Sequence, residues 1–421
     1  MNDNAQNGGG QPPQIPWNNS WFRRVVLLLV AGYFLLGHGG GGGLFHSKPD
    51  PVYTVNDIAQ LDDARYNYAG SPYYGTKDSL LKKADRAMEE KFPLITDKKT
   101  APPSGDKRDY ISQAVYYWQD PANPDGPWIR RDGEKNPLCH DGDRYDADRL
   151  NAMEKQLHDL VVGYRLTDDE KYAKRAVSLL ETWFVDPATS MRPRLLFAQV
   201  IPGKETFKGA KTWQGNHSGV IDSIGLIGVV DDIQLLQKSP SFPKDRQEAV
   251  ELWFDRYLSW LLTSPMGKKE SEAANNHGTW YDAQVAVLAR YTGRDKLARK
   301  VLEALPEGRM KTQIAADGSL PLELERTRPL HYSLFNLRAY LVLARLGEGM
   351  AIHLYDVKTP DGTGLKQSLR YYLPYVKGEK KLPRQDITPA DTRPFLKALF
   401  LANSHYEDPD FSLLRQKQRI P

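Results

Sequence analysis

The stretch ADRLNAMEKQLHDLVVGYRLTDDEKYAKRAVSLLETWF, Ala147–Phe184, decides the fold class. In its first half, apolar residues recur every three to four positions, at Leu150, Met153, Leu157, Leu160, Val161 and Tyr164. This spacing places them on one face of an α-helix. Thr167, followed by acidic residues, is a typical helix cap, and the second half repeats the spacing at Tyr172, Val177, Leu180 and Phe184. The stretch therefore predicts two amphipathic helices joined by a short turn.

The same helical spacing returns along the rest of the chain. It predicts helices over 246–264, 272–284, 295–305, 334–346 and 394–403. No strand-like alternation of useful length appears from Tyr53 onward. Helices with short connections pack as antiparallel hairpins, and a long series of hairpins stacks into a solenoid or closes into a toroid. The sequence therefore predicts an all-α fold with one helical domain over 55–421, and the periodicity leaves closure open.

The composition is that of a globular protein, with 421 residues of which 40% are hydrophobic and 26% charged. The 22 tyrosines and 9 tryptophans fit either a large helical core or a sugar-binding cleft. A formal net charge of +4 is compatible with an anionic ligand, and the absence of a Lys/Arg run argues against a nucleic-acid partner. The single cysteine, Cys139, excludes a disulfide within the chain.

The N-terminal segments predict a location outside the cytoplasm. Residues 1–22 form a polar tail, rich in Gly, Pro, Asn and Gln, that we expect to be disordered. Residues 23–38 place two arginines before an apolar run of about 13 residues, shorter than the roughly 20 that a membrane span needs. This pattern predicts a signal peptide or an uncleaved membrane anchor, followed by a Gly-rich linker over 39–54. We therefore expect a periplasmic or secreted protein, free or tethered to a membrane.

The stretch EAANNHGTWYDAQ, Glu272–Gln284, places unusual polar residues inside a segment with helical spacing. Asn and His are unfavourable in helix interiors, so packing alone does not explain them. On a helix, Asn276 and Trp280 are i,i+4 neighbours, as are His277 and Tyr281. Amide donors beside an imidazole can clamp a carboxylate and take up a proton. The alternative is a buried polar cluster satisfied by loop carbonyls.

The sequence lacks the motifs of two other kinds of site. No HExxH pattern is present and no second histidine follows His277 at helical spacing, so we predict no metal site. We also predict no cofactor, because side chains can neutralise the charge of a bound carboxylate. No G-x-S-x-G elbow is present for a nucleophilic serine.

A second candidate segment is DGSLPLELERTRPLHYSLFNLRAY, Asp317–Tyr340. Arg326 can bind a carboxylate in bidentate fashion. A guanidinium near Tyr332 would lower the pKa of its phenol. The alternative is a solvated charged loop in which Tyr332 packs at a helix start.

Two further segments have open interpretations. WQGNHSGVIDSIG, 213–225, places Asn216 and His217 in a Gly-flanked loop, which is either a functional loop or an ordinary polar turn. The segment 110–143 is rich in Pro, Gly and aromatic residues and is too long for a simple connector. Loops of this kind often act as lids or cleft walls. The alternative is a surface loop pinned by its tryptophans.

Four motifs, in this order, resemble the alginate lyase superfamily of polysaccharide lyases. They are YYWQDPANPDGPWIRRDGEKNP, LLETWFVDPATSMRPRLLFAQVIPG, NNHGTWYD and LELERTRPLHYSLFNL. The resemblance extends from about Tyr110 to Val376 and covers most of the chain. It implies an (α/α) toroid, an acidic polysaccharide as the binding partner, and cleavage of a uronate-containing polymer by β-elimination across C4–C5.

The resemblance also implies the residues of the site. The catalytic positions of the family fall on Asn276, His277, Arg326 and Tyr332. The substrate-binding positions that we predict around them are Asn216, His217, Asn275, Trp280, Tyr281, Arg328, His331 and Trp118.

Two other functions fit the same sequence. A glycoside hydrolase on a helical toroid would need two carboxylates across the cleft, with Asp222, Asp282, Glu323 and Glu325 as candidates. A hydrolase would leave the Asn-His pair without a use. The second alternative is a non-catalytic, membrane-anchored protein that binds acidic polysaccharide.

Overall fold

The computed structural model describes residues 50–66, 75–203, 215–359 and 361–412. Its α-helices, in chain order, are α1 Ile58–Tyr66, α2 Lys77–Glu89, α3 Ala147–Thr167, α4 Glu170–Phe184, α5 Leu226–Leu236, α6 Lys244–Thr263, α7 Pro265–Ser271, α8 Asn276–Tyr291, α9 Asp295–Ala304, α10 Lys311–Gln313, α11 Pro321–Leu324, α12 Pro329–Glu348, α13 Leu365–Val376, α14 Arg393–Tyr406 and α15 Pro409–Ser412. Short 3₁₀ segments lie at Ile95–Asp97, Pro137–His140 and His217–Ser223, and a π turn at Pro306–Met310. The strands are β1 Ile111–Gln113, β2 Tyr117–Trp118, β3 Ile129–Arg130 and β4 Phe197–Val200.

The hairpin of α3 and α4 has the predicted extent, but its cap is not the predicted residue. Thr167 is the last residue of α3, and its hydroxyl donates to the Gly163 carbonyl at 2.7 Å. Asp168 follows in the left-handed conformation, with φ 56°, and ends the helix. The side chain of Asp169 then accepts a hydrogen bond from the Lys171 amide at 3.0 Å and caps α4.

The larger helices pack in two layers. Helices α3, α5, α8, α12 and α14 contact one another in succession, and α4, α6, α9 and α13 pack against members of this series. Most of the buried apolar side chains belong to one continuous hydrophobic cluster. Apolar residues at three-to-four spacing place a stripe of each long helix in this cluster, which confirms the predicted helices over 147–166 and 246–264.

Two small sheets were not predicted. Strand β1 pairs in parallel with β4, and β2 pairs with β3 in an antiparallel hairpin. Each strand has only two to four residues, which is too short for an alternating pattern to be visible in the sequence. Both β1 and the β2–β3 hairpin lie in the segment 110–143, so this segment is an ordered β-containing loop.

Residues Pro49–Pro421 form one compact unit. The predicted tail over 1–22, the predicted signal or anchor over 23–38 and most of the predicted linker over 39–54 lie outside the described residues. Within the described ranges, no helix has both the length and the hydrophobicity needed to cross a membrane.

A buried ion pair joins the β1 region to the start of α3. The Lys98 ammonium lies 2.5 Å from an oxygen of Asp146, and both side chains are fully buried. The same oxygen of Asp146 accepts the backbone N–H of Ile111 at 3.0 Å, and Lys98 also donates to the Ile95 carbonyl at 2.9 Å. Arg149 lies 3.3 Å from the other oxygen of Asp146 and is a second cationic partner. Because Lys98 and Asp146 are both removed from water, the loss of one of them still costs stability.

We expect Lys98→Met to lower the free energy of unfolding by up to about 3–5 kcal/mol, since it removes the fully buried partner of Asp146 and leaves that carboxylate with Arg149 alone. Chemical denaturation monitored by circular dichroism measures the change. The matched control is Lys99→Met, because Lys99 pairs with Asp143 on the surface, where the two side chains are 78% and 54% exposed. An equal effect of the two substitutions would show that burial of the pair has no special role.

Candidate active site

An open pocket of about 360 Å³ lies where the 3₁₀ segment at His217, the junction of α7 with α8, and α11 meet. Its lining consists of His217, Ser218, Ala273, Ala274, Asn275, His277 and Leu322. Two stretches that the sequence analysis singled out separately, around Asn216 and around Asn276, therefore contribute to one pocket.

Glu270, the penultimate residue of α7, joins the two histidines of this pocket. Its side chain is 1% exposed, and its two oxygens lie 2.8 Å from His217 Nδ1 and 2.6 Å from His277 Nδ1. A carboxylate only accepts hydrogen bonds, so each ring presents a protonated Nδ1 to Glu270. The other ring nitrogen, Nε2, is then the one available to a bound molecule. In a neutral imidazole of this tautomer, Nε2 is a proton acceptor.

The two asparagines lie at the start of α8, and the prediction that they occupy a helix interior is wrong. Asn275 is the N-cap, and its side chain accepts the His277 amide N–H at 3.2 Å. Asn276 is the first helical residue, and it is 1% exposed. Its backbone N–H and its Nδ2 donate to the two oxygens of Glu323, at 2.6 and 2.7 Å. Asn275, not Asn276, lines the pocket.

Tyr332, in the first turn of α12, contacts the segment 110–143. Its hydroxyl donates to the Tyr116 hydroxyl at 2.7 Å. Burial, together with the neighbouring Tyr116, raises the pKa of Tyr332 well above its ordinary value. Tyr332 is therefore a neutral phenol at neutral pH and can donate a proton.

Arg326 lies against the ring of Tyr332, not against its oxygen. The guanidinium carbon is 3.8 Å from the ring centroid, a cation–π geometry. Nε and Nη2 donate to the two oxygens of Asp132, at 3.1 and 2.7 Å. The charge of Arg326 acts to lower the pKa of Tyr332, as expected, but burial and Tyr116 act more strongly, so the net shift is upward and the expected net lowering is wrong.

Asp132 connects the segment 110–143 to the start of α12. It accepts two hydrogen bonds from Arg326 and one from the Thr327 hydroxyl at 2.9 Å. Burial opposes ionisation, but the bonds from Arg326 and Thr327 prevail and lower the pKa of Asp132 to about 2. Since Tyr116 also belongs to this segment, the contacts favour the cleft-wall interpretation over that of a surface loop. Trp118 is held by a hydrogen bond from Nε1 to the Glu134 carbonyl, at 3.0 Å.

The other predicted substrate-binding residues have different environments. Asn216 caps the 3₁₀ segment, with its side chain 3.4 Å from the Ser218 amide. His331 packs edge-on against Tyr332, and burial, followed by the charge of Arg328, lowers the pKa of His331 to about 4. Arg328 is 8% exposed, and its buried Nε has no hydrogen-bond partner among the described residues.

Trp280 and Tyr281, which we predicted to bind substrate, pack in the hydrophobic core. They are 3% and 7% exposed, and neither lines the pocket at His277. The Tyr281 hydroxyl donates to the Leu261 carbonyl at 3.1 Å. Helical spacing correctly placed them one turn from Asn276 and His277, but their side chains are buried in the protein interior.

Sequence reasoning missed Glu270, Tyr116, Asp132 and Gln199. Gln199 has a left-handed backbone conformation, with φ 48°, which is uncommon for a residue with a side chain. Its Nε2 donates to the buried Asp222 at 2.8 Å, and its Oε1 accepts from the Ser218 hydroxyl at 3.1 Å. The motifs that resemble the family contain Gln199, Tyr116 and Asp132, so they pointed to the right segments without identifying these residues. Glu270 lies outside those motifs, and no feature of the sequence pointed to it.

The carboxylates that a hydrolase would need do not face the pocket. Its lining contains no carboxylate side chain. Asp222 and the buried Glu323 accept internal hydrogen bonds, Asp282 pairs with Arg309, and Glu325 is exposed outside the lining. Within the described ranges, no group of three or more His, Cys, Asp or Glu side chains is placed to hold a metal ion.

A family model described as alginate lyase matches residues 94–382. The chain belongs to the alginate lyase family. It is a polysaccharide lyase with the (α/α) toroid fold, which confirms the family, the fold class and the enzyme class predicted from the sequence. A search of curated proteins returns no match.

Solved structures of this family superpose on most of the chain. An alginate lyase from Bacteroides ovatus is 32% identical, with 87% of this chain and 96% of that chain covered and a TM-score of 0.78. Alginate lyase A1-III from Sphingomonas species A1 is 17% identical, with 88% and 93% covered and a TM-score of 0.55. A histidine-to-alanine variant of A1-III in complex with a tetrasaccharide is 16% identical, with 85% and 91% covered and a TM-score of 0.56. At this identity, the two A1-III structures support the fold alone.

We expect Glu270→Gln to lower kcat/KM by at least about ten-fold, since an amide offers one acceptor oxygen where the two Nδ1–H groups need two. The initial rate of unsaturated-product formation, read by ultraviolet absorbance, measures the change. Glu272→Gln is the control, because Glu272 is exposed two residues along the chain. If Glu270→Gln folded normally and kept the full rate, the carboxylate would not orient a working imidazole.

Proposed function

We propose that this lyase cleaves a uronate-containing polysaccharide by β-elimination, and that His277 and Tyr332 move the two protons of the reaction. The observation that carries the proposal is the shared Glu270 carboxylate, which binds Nδ1 of two histidines that line an open pocket and leaves Nε2 of each ring for a ligand. The name of the relative that is 32% identical supports the substrate class, since the Bacteroides ovatus protein is an alginate lyase.

The first requirement of β-elimination is neutralisation of the uronate carboxylate. The C5 proton beside this carboxylate is very weakly acidic, because its removal places a second negative charge on the same group. Donors fixed at that point stabilise the developing charge, each by about 3–4 kcal/mol. Among the lining side chains, Asn275 carries an amide Nδ2 that can donate to this carboxylate. The Nδ2 of Asn276 and the Arg326 guanidinium instead bind Glu323 and Asp132.

The second requirement is a base at C5 and an acid at the glycosidic oxygen. His277 has the properties of the base, because Glu270 holds Nδ1 and Nε2 is left to accept the proton. Glu270 also stabilises the imidazolium that forms. Tyr332 has the properties of the acid, because its raised pKa keeps the phenol protonated. A glycosidic oxygen in the cleft then replaces Tyr116 as the acceptor of the Tyr332 hydroxyl.

The epimer at C5 decides which residues can act together. In guluronate or iduronate the C5 proton and the C4 oxygen lie on opposite faces, which suits a separate base and acid. In mannuronate or glucuronate they lie on the same face. Tyr332 alone would then have to lose its own proton first, accept the C5 proton and donate it to the C4 oxygen. Because the resting Tyr332 is a phenol, we expect polyguluronate to be cleaved faster than polymannuronate or glucuronan. Initial rates on the three polymers, measured by product absorbance, test this order.

We expect Tyr332→Phe to lower kcat by about 10²–10⁴-fold with little change in polymer binding, since it removes the acid and keeps the ring. Product absorbance gives the rate and equilibrium titration with polymer gives the affinity. Tyr116→Phe is the control, since it removes the present partner of the hydroxyl and leaves the acid in place, and we expect a loss of less than about ten-fold. A near-normal rate for Tyr332→Phe would remove Tyr332 from the mechanism.

The alkaline side of the pH–rate profile distinguishes an acid from a base at Tyr332. A group that works as an acid must stay protonated, and a raised pKa keeps it so to higher pH. We therefore expect kcat/KM to show no loss attributable to this phenol up to its ordinary value of about 10. A rate on a same-face polymer that rises steadily through the alkaline range would instead identify Tyr332 as a phenolate base.

The cellular location and the membrane tether rest on the N-terminal sequence. We propose that the enzyme is periplasmic or secreted and that residues 23–38 act as a signal peptide or as an anchor. N-terminal sequencing of the mature protein, combined with extraction of membranes by detergent and by salt, separates the two. Enzyme found only in the cytoplasm would contradict both.

A further inference from the structure

A second pocket, of about 140 Å³, lies away from the pocket of the two histidines and shares no lining residue with it. Helices α12 and α14 form two of its sides, and Trp280 of α8 closes it. Three basic residues line it, Arg338, Arg345 and Lys397, and its lining contains no carboxylate. All three are partly buried, and positive charge taken partly out of water is costly unless an anion balances it.

The guanidinium of Arg338 has aromatic neighbours instead of an acid. Its central carbon lies 5.7 Å from the Trp280 ring centroid and 5.9 Å from that of Phe335. The structure gives it no hydrogen bond or ion pair with another described residue. The carboxylate whose charge acts on it, Asp391, is itself bound by Arg393 through two hydrogen bonds of 2.8 Å. Burial accordingly lowers the pKa of Arg338 to about 10.

Trp280 supplies a second donor without a partner. Its side chain is 3% exposed, and Nε1 is buried with no hydrogen-bond partner among the described residues. Buried donors in native proteins are nearly always paired, so an unpaired indole N–H in a pocket wall needs an explanation. An acceptor bound in the pocket provides one.

Lys397 and Arg345 add charge but are held by the protein. Lys397 lies in the field of Asp232, Asp231 and Asp57 and has an interaction of its own. Arg345 donates from Nε to the Tyr53 carbonyl at 2.6 Å. Among these groups, the Arg338 guanidinium and the Trp280 indole N–H are therefore the donors that have no hydrogen-bond partner among the described residues.

We propose that this pocket binds a small oxyanion, with the Arg338 guanidinium and Trp280 Nε1–H as its donors and Lys397 as a source of additional positive charge. The volume admits a group of the size of phosphate, sulfate or a carboxylate and excludes an oligosaccharide. The same chemistry can come from a free inorganic anion or from the carboxylate of a released uronate. The inference does not depend on the roles proposed for His277 and Tyr332.

The test is thermal unfolding and isothermal titration of the full chain, in an anion-poor buffer, with inorganic phosphate in one arm and free glucuronate in the other. We expect a saturable rise in Tm of at least about 2 °C in at least one arm. Arg338→Met should weaken that binding by about ten-fold or more, since it removes a charged donor. Trp280→Phe, which keeps a ring and removes the N–H, should weaken it less.

The Tm of Arg338→Met without anion shows whether this variant folds normally. Because it removes a buried charge that lacks a counter-ion, its Tm without anion should equal or exceed that of the parent chain. Arg256→Met is the matched control, since Arg256 is exposed on α6 and lies outside the pocket, and it should bind anion as the parent does. Binding in one arm that depends on Arg338 supports the site and identifies the source of the anion. The proposal is overturned if neither anion raises Tm, or if Arg338→Met binds as tightly as the parent.

Discussion

The buried carboxylate of Glu270 is the interaction on which the active site depends. A carboxylate that is 1% exposed has lost nearly all of its water, and it is tolerated because two imidazole N–H groups replace that water. The two histidines come from different parts of the chain, one from the 3₁₀ segment before α5 and one from the first turn of α8. One carboxylate therefore fixes the tautomers of both rings and the relative position of the two segments that carry them.

Other carboxylates around the site also accept hydrogen bonds from separate segments of the chain. Glu323 binds the first residue of α8, Asp222 binds Tyr110, Ser112 and Gln199, and Asp132 binds the start of α12 to the β-containing loop. Each of these carboxylates satisfies donors from a different loop or helix start. The helices provide a rigid frame through their apolar stripes, and the acids hold the polar segments at their ends. Precise placement of loops follows, as elimination chemistry requires of its donors.

The sequence predicted the frame well and the orientations within the site poorly. The helices α3, α4 and α6 follow from a local period of apolar residues, which a single sequence displays directly. The motifs at Asn275–Asn276–His277 and at Arg326–Tyr332 were also visible. What a side chain faces depends on residues far away in the chain, such as Asp132 for Arg326, which are 194 positions apart. Local spacing holds no information on such contacts, and Glu270 was missed for the same reason. The strands were missed because they are too short to show an alternating pattern.

A polar side chain that already has a hydrogen-bond or ion-pair partner within the protein has a structural role, and one without such a partner can bind a ligand. This distinction is more informative than the residue type. Asn275 and Asn276 are chemically identical neighbours, yet the Nδ2 of Asn276 is bound to Glu323 while Asn275 lines the pocket. Arg326 and Arg338 differ in the same way, because Asp132 balances one charge and no described carboxylate bonds to the other. A donor left unpaired in a protein interior lowers stability, and its retention is explained when a ligand completes it. By this criterion Asn275 can bind a ligand in the first pocket, and Arg338 and the Trp280 N–H can bind one in the second. Asn276 and Arg326 instead stabilise the structure of the site.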